Sequence, residues 1–355
     1  MPGQSHFPGH LPGPARHRGP SASPAQYHGR VDLESLRRGE TRALARAISL
    51  IEAGDAAVFE AIAELRRTRS GPGSQVVGLT GSPGSGKSTL ADALTTIWRS
   101  QERRVAVLAV DPNSPFTGGA LLGDRVRMQG HALDPKVFIR SLGARGHLGG
   151  LSLASSAAVR LLDALGWEMV LVETVGVGQS ELEICELADT VVVVATPAAG
   201  DSVQVIKAGI TEIADVFAVN KADLAGADRV ARELKDMVRL SPPSPWRPPV
   251  VKTVAERGAD GVLELAQAVA AHWAHLQQSG EAEVRSRRRI VDELVGLVAA
   301  RSAQEARRIL AEEGPALLGG QPELAQPDLL ARSLLARIAA QERTIAESVP
   351  STQRS

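Results

Sequence analysis

VVGLTGSPGSGKSTL, residues 76–90, decides how the rest of the chain is read. A short apolar run stops at a cluster of small residues, and an amphipathic segment with Leu90, Leu94 and Ile97 on one face follows. Strand, turn and helix in that order let backbone N–H groups wrap a phosphate at a helix N-terminus. Residues 81–88 fit the spacing G-x-x-x-x-G-K-S. Gly81, Ser82, Gly84, Ser85 and Gly86 supply the closely approaching backbone, Lys87 a compact cation for the β- and γ-phosphates, and Ser88 a hydroxyl for Mg²⁺, with Thr89 beside it.

Outward from this turn, short apolar runs alternate with amphipathic segments. The candidate strands after VVGLT (76–80) are VAVLAV (105–110), VFIRS (137–141), MVLVET (169–174), TVVVVAT (190–196), VFAVN (216–220) and VVKT (250–253). Near-continuous Val-rich strands separated by helices predict an α/β P-loop fold: a mainly parallel central sheet with helices on both faces. Ligands of such sheets bind beyond the carboxyl ends of the strands.

The flanks are different. Residues 1–29 are rich in Pro, Gly, Ser and His with almost nothing to bury, which predicts a disordered tail. Over 30–70, Leu36, Leu44, Ile48, Ile51, Val58, Ile62 and Leu65 recur at helical spacing broken at Gly54-Asp55, which predicts a two-helix arm. The nucleotide domain is expected over 71–278. From 279 to 355 only helical patterns remain, with Ile290, Leu294, Val298, Ile309, Leu310, Leu330, Leu334 and Ile338 as their apolar positions. Such a pair of helices needs a surface to cover: its own domain or a second copy of the chain.

Composition removes several functional classes. Forty basic residues balance forty acidic ones across 355, so there is no global footprint for nucleic acid or anionic lipid. One cysteine, Cys185, excludes an intramolecular disulfide framework, and no run approaches the roughly eighteen apolar residues of a membrane helix. A cytoplasmic location is expected. Six Lys stand against thirty-four Arg, yet Lys87 and Lys221 sit in the nucleotide motifs, where a compact ammonium and an Arg fork are not interchangeable.

Asn220, Lys221 and Asp223 end the sixth run as N-K-x-D. A carboxylate at Asp223 can accept from both N1–H and the 2-amino group of guanine; adenine lacks both donors and would leave it unpaired. GTP/GDP is therefore the expected nucleotide. Thr253, Val254 and Ala255 fall where a backbone N–H would meet guanine O6. Asp111 ends the second run, a loop with Asp124, Arg125 and Arg127 follows it, and Glu173 ends the fourth. Carboxylates at neighbouring strand ends suit Mg²⁺, which takes oxygen ligands and keeps several waters. Alone, the loop residues read equally as a solvated surface, and Asp201 and Lys207 in the loop after the fifth run read as a helix cap and a surface charge.

Taken together, GSPGSGKST, AVDPNSPFTGGALLGDRVRM, LVETVGVGQSE, the loop from Pro197 to Lys207 and VNKAD resemble the MeaB/ArgK family of P-loop GTPases, in order, over roughly residues 31–280. The resemblance implies a GTPase chaperone for adenosylcobalamin-dependent acyl-CoA mutases such as methylmalonyl-CoA mutase, dimeric through its C-terminal arm. It implies that Lys87 and Ser88 bind phosphate and Mg²⁺ and that Asp111, Asp124 and Glu173 form the metal-binding and catalytic acidic set. Arg127 would belong to a first switch, Gly176 to a second over 174–181, and Asp201 and Lys207 to a third over 197–210.

The chain departs from the family pattern in the third switch, where AGDSVQVIK replaces the usual GGDELQGIK, and at Val254, where Ser is usual. After Gly176 stands Val177, where many self-sufficient GTPases place a water-orienting Gln; Gln179 lies two residues farther on. Slow hydrolysis that a bound mutase accelerates is the expectation, with Gln179 or a switch Arg brought into position. Two other readings compete. A metal-delivery GTPase for a nickel enzyme would want Cys and His ligands near the switches, where Cys185, His131 and His147 show no ligand spacing, so only His6, His10, His17 and His28 of the tail speak for it; a transport-linked kinase would prefer ATP, which N-K-x-D opposes.

Overall fold

The computed structural model describes residues 31–111, 129–131, 133–143, 151–174, 184, 186–197, 213–257, 260–317 and 326–348. Seven strands, β1 (Gln75–Thr80), β2 (Val105–Asp111), β3 (Val137–Gly143), β4 (Met169–Thr174), β5 (Thr190–Ala195), β6 (Val216–Val219) and β7 (Val250–Lys252), form one sheet in the order β3-β2-β4-β1-β5-β6-β7. Every pairing is parallel. All seven expected strands are present, with ends shifted by one or two residues.

The described helices are α1 (Leu33–Arg37), α2 (Thr41–Ala53), α3 (Ala56–Thr68), α4 (Lys87–Ser100), α5 (Leu151–Ala164), α6 (Ala227–Leu240), α7 (Val262–Ser279), α8 (Glu281–Leu317) and α9 (Pro327–Ser348). Side chains alternate across a strand, so a sheet buried on both faces builds two cores. Val76, Leu108, Val170, Val172, Val191 and Val193 join the core under α2, α3, α5 and α6. Val77, Val107, Leu171, Val192 and Val194 join the core under α4 and α7. Gly78 is needed where it stands: a Cβ there would meet Ile184 Cγ1 at 2.7 Å.

The N-terminal segment holds three helices rather than two. The extra one, α1, is a single short turn capped by Asp32, whose carboxylate accepts from the Ser35 N–H at 3.0 Å. Gly54, at φ 73°, ends α2, and Asp55 caps α3 by accepting from the Ala57 N–H. Leu44, Ile48, Ile51, Val58, Ile62 and Leu65 are buried in the same core as β2 and α5. Each such burial stabilises by about 2 kcal/mol, so this segment is bound to the sheet as one of its layers.

At the other end, α8 (Glu281–Leu317) turns its apolar stripe away from the domain, the second of the two arrangements expected. The side facing the domain is largely polar: Arg285 reaches Asp215 and the Asp189 carbonyl, Arg289 pairs with Asp189, and Glu293 meets Arg160 at 2.7 Å. Gly296 lies against Leu153, where a Cβ would come within 2.7 Å. Val284, Val291, Leu294, Val295 and Val298 are all more than half exposed. Of the apolar positions read from the sequence here, Ile309 is buried, Leu294 and Val298 face outward, and Ile290 is partly exposed at the rim of the cleft between α8 and the domain.

Candidate functional site

Strand order places the motifs before any side chain is considered. β1 is the central strand, and the turn that follows it opens between the ends of β4 and β5. Neighbouring parallel strands lie about 5 Å apart. Beyond β4 lies β2, and in that register Ala109 is level with Glu173, which sets Asp111 at the next strand end. On the other side, β6 and β7 deliver Asn220–Asp223 and Thr253–Ala255. Acidic ends thus flank the turn on one side, and the loops expected to select the base lie on the other.

The turn is shaped by glycine where other residues would fail. Gly81, Gly84 and Gly86 have φ of 137°, 75° and 90°. A Cβ on Gly81 would stand 2.2 Å from the Val194 carbonyl oxygen, and one on Gly86 would stand 2.4 Å from Asn220 Nδ2. Gly86 is the N-cap of α4 and no side chain caps it, so the helix presents its N-terminus to the turn, where an anion is favoured. Lys87 is buried, and its Nζ donates to the Gly81 and Ser82 carbonyls at 2.7 and 3.1 Å. Those contacts hold the ammonium across the mouth of the turn, where a phosphate would exchange with them.

Ser88 Oγ donates to Glu173 Oε1 at 2.6 Å. This puts a hydroxyl and a buried carboxylate together beside the phosphate turn. Two hard oxygen ligands fit Mg²⁺, whose remaining positions are met by phosphate and water. The backbone of Asp111 ends β2 on the same side. The side chain of Asp111 lies outside what the structure describes, as do Asp124, Arg127, Gly176, Gln179, Cys185, Asp201, Lys207 and the four tail histidines.

The base loops are tied directly to the phosphate turn. Asn220 Nδ2 donates to the Ser85 carbonyl at 2.9 Å, and its Oδ1 accepts from Thr253 Oγ1 and from the Ala255 N–H, both at 3.2 Å. Asn220 therefore joins three strand ends through one buried amide. Lys221, in a left-handed conformation at φ 56°, donates from Nζ to the Gly84 carbonyl at 3.0 Å. Its extended stem lies over the turn, which a forked guanidinium would fill differently. Asp223 is exposed and adjoins a cavity of about 530 Å³ whose walls include Val254 and Asp260.

Asp260 was not singled out from the sequence, although the Ala-Asp-Gly turn at 259–261 signals a sharp bend. Its carbonyl accepts from the Val254 N–H at 3.0 Å. Thr253 N–H donates to the Val219 carbonyl, so all three N–H groups of residues 253–255 have partners within the protein. A guanine O6 arriving at this loop would compete with those bonds.

The arrangement has counterparts among known proteins. Residues 44–310 match the model of the family described as methylmalonyl-CoA mutase-associated GTPase MeaB. A protein of Pyrococcus horikoshii named as a GTPase is 45% identical over 284 residues, covering 79% of this chain and 89% of its own length. The mitochondrial methylmalonic aciduria type A homologue of Mus musculus is 34% identical over 263 residues, covering 69% of this chain and 63% of its own. A crystal structure of a LAO/AO transport system kinase shares the fold at a TM-score of 0.62 and 23% identity, over 86% of this chain and 96% of that one. The chain belongs to the MeaB family of P-loop GTPases.

Proposed function

We propose that this MeaB-family GTPase is a chaperone of an adenosylcobalamin-dependent acyl-CoA mutase of the methylmalonyl-CoA mutase type, gating cofactor loading and protecting the enzyme. The family match over residues 44–310 carries the reading. The name of the mouse relative agrees with it.

In this reading GTP lies across the C-terminal edge of the sheet. Asp223 accepts from the guanine N1–H and 2-amino groups, the N–H groups of residues 81–89 surround the phosphates, and Lys87 exchanges its carbonyl contacts for the β- and γ-oxygens. Ser88, Glu173, Asp111 and Asp124 would hold Mg²⁺, which neutralises charge on the phosphates when bound. With Val177 after the switch glycine, the isolated protein hydrolyses GTP slowly. The mutase accelerates it by setting Gln179 or Arg127 against the γ-phosphate and its attacking water. The third switch, with Asp201 and Lys207, carries the nucleotide state to the client.

The exposed apolar residues of α8 support a homodimer. Val284, Val291, Leu294, Val295 and Val298 recur at the spacing of one helical stripe and face away from the domain. Among the described residues no helix is long and apolar enough to cross a membrane, and the proposed location is the cytoplasm.

The test is the Kd of the full chain for methylmalonyl-CoA mutase and related acyl-CoA mutases, with GDP and with a non-hydrolysable GTP analogue. The proposal expects about a tenfold difference between the nucleotide states for one client, reduced in Lys207→Ala. Absence of binding to every such mutase in both states refutes it.

A further inference from the structure

At the opposite end of β1 from the phosphate turn, a cavity of about 230 Å³ lies between α3, α5 and α8, with Ser74 and Val76 at its floor. The length of β1 separates the two places by roughly 17 Å. Arg66, Arg69, Arg160 and Arg289 line this cavity, against the carboxylates of Asp163 and Glu293. That is a dense positive lining, from the exposed Arg66 to the largely buried Arg69, in a chain whose net charge is zero.

The pairing within the wall leaves the positive charge in excess. Arg69 Nη1 meets Asp163 Oδ1 at 2.8 Å, Arg160 Nη2 meets Glu293 Oε1 at 2.7 Å, and Arg289 pairs with Asp189 behind it. Arg66 makes no ion pair among the described residues, so four cations face three carboxylates. Burial pushes the Glu293 carboxyl up from its ordinary range, which weakens the compensation further.

The donors point to the same conclusion independently of charge. The Nε–H groups of Arg69 and Arg160 are both buried and make no hydrogen bond among the described residues. A buried donor without an acceptor costs about 1–3 kcal/mol, and native structures satisfy such groups with water or a ligand. Guanidinium N–H groups take only acceptors, and forks from three helices match oxygens arranged in three dimensions better than the flat pair of a carboxylate. Ser156 and Ser286 add hydroxyls to the lining.

We propose that this cavity is a second anion site, separate from the nucleotide turn, which takes a phosphate dianion or the phosphoryl end of a small phosphate monoester. The volume admits a phosphate with a short substituent and excludes a nucleotide. A bound anion would draw α3 and α5, which belong to the sheet domain, against α8, which leaves it.

The experiment is thermal unfolding of the full chain with Mg²⁺ and a saturating non-hydrolysable GTP analogue, which occupies the nucleotide turn throughout. Inorganic phosphate and glycerol 3-phosphate are titrated separately at constant ionic strength, balanced with chloride. The expected result is a saturable rise in Tm of about 2 °C at ten times the Kd. A rise with phosphate alone identifies a free-phosphate site, and a rise with both identifies a phosphomonoester site. Arg66→Gln, an exposed change that leaves the ion pairs intact, should weaken the anion's affinity about tenfold. Ser156→Asp places a carboxylate in the cavity and should abolish the response. A response equal to that of chloride, or unchanged in both variants, overturns the proposal.

Discussion

The two ends of the sheet are built on different principles. At the C-terminal edge, function rests on backbone and short side chains: Gly81 and Gly86 leave room for carbonyl and amide neighbours, Asn220 joins three loops, and Ser88 meets Glu173 at 2.6 Å. At the N-terminal edge, long charged side chains span between elements. Asp189 accepts from the Val76 N–H and pairs with Arg289, while Asp215 accepts from the Val191 N–H and pairs with Arg285. His272 lies between them, its Nε2 3.2 Å from Asp215 and its Nδ1 2.9 Å from Thr190 Oγ1. The first edge is organised around a ligand; the second fastens α8 to the domain. A change at one edge should therefore affect chemistry, and a change at the other should affect stability.

Lys87→Ala gives the sharpest separation. Removing the cation proposed to reach the transferring phosphate should lower GTP turnover by about 1000-fold, with Tm altered little, as read by steady-state kinetics and calorimetry. A comparable loss of folding stability would break the division. Arg289→Ala makes the converse case. It strands the buried Asp189 carboxylate and should cost about 3 kcal/mol in denaturant unfolding, while the Kd for GTP stays within about twofold. Asp223→Asn comes next: GTP should bind about 100-fold more weakly, and xanthosine triphosphate, which offers an acceptor in place of the 2-amino donor, should gain.

The smallest effect concerns acid. Burial pushes His272 down from 6.5 to about 4. Between those values the unfolded chain binds the proton and the folded chain does not, so this group's contribution to stability falls as pH drops from 6.5 toward 4. By pH 5 it should amount to about 2 kcal/mol. Burial raises the Asp189 and Glu293 carboxyls, which act in the opposite sense by taking protons earlier in the fold. Comparing the slope of stability against pH in the wild type and in His272→Gln isolates the histidine, and equal slopes would remove it from the account.

The difference between the edges also explains what could be read from sequence. Strands of three to seven residues, a glycine turn and N-K-x-D are local signals; the strands formed where expected, and the turn and N-K-x-D fell at strand ends. The contacts that couple them were not local. Asn220 to Ser85 spans 135 positions, and Ser88 to Glu173 spans 85. The Arg285, Arg289 and Glu293 face of α8 was illegible for another reason. Charged residues at helical spacing usually mark the solvent side, so hydrophobic periodicity left the apolar stripe open to the domain or to a second copy and gave the charged face no partner. The buried carboxylates at the strand starts turn the charged face of α8 toward the domain, because its cations pair with them. Likewise, Asp32 capped a turn too short to show a period, and the N-terminal segment gained a helix.

The most direct measurement is GTP turnover by the purified full chain, alone and with each available adenosylcobalamin-dependent acyl-CoA mutase. The account predicts slow turnover alone and stimulation of about tenfold or more by one mutase, with the stimulation lost in Lys207→Ala while the basal rate persists. Turnover of several per second without a partner, or no stimulation by any mutase, would contradict it.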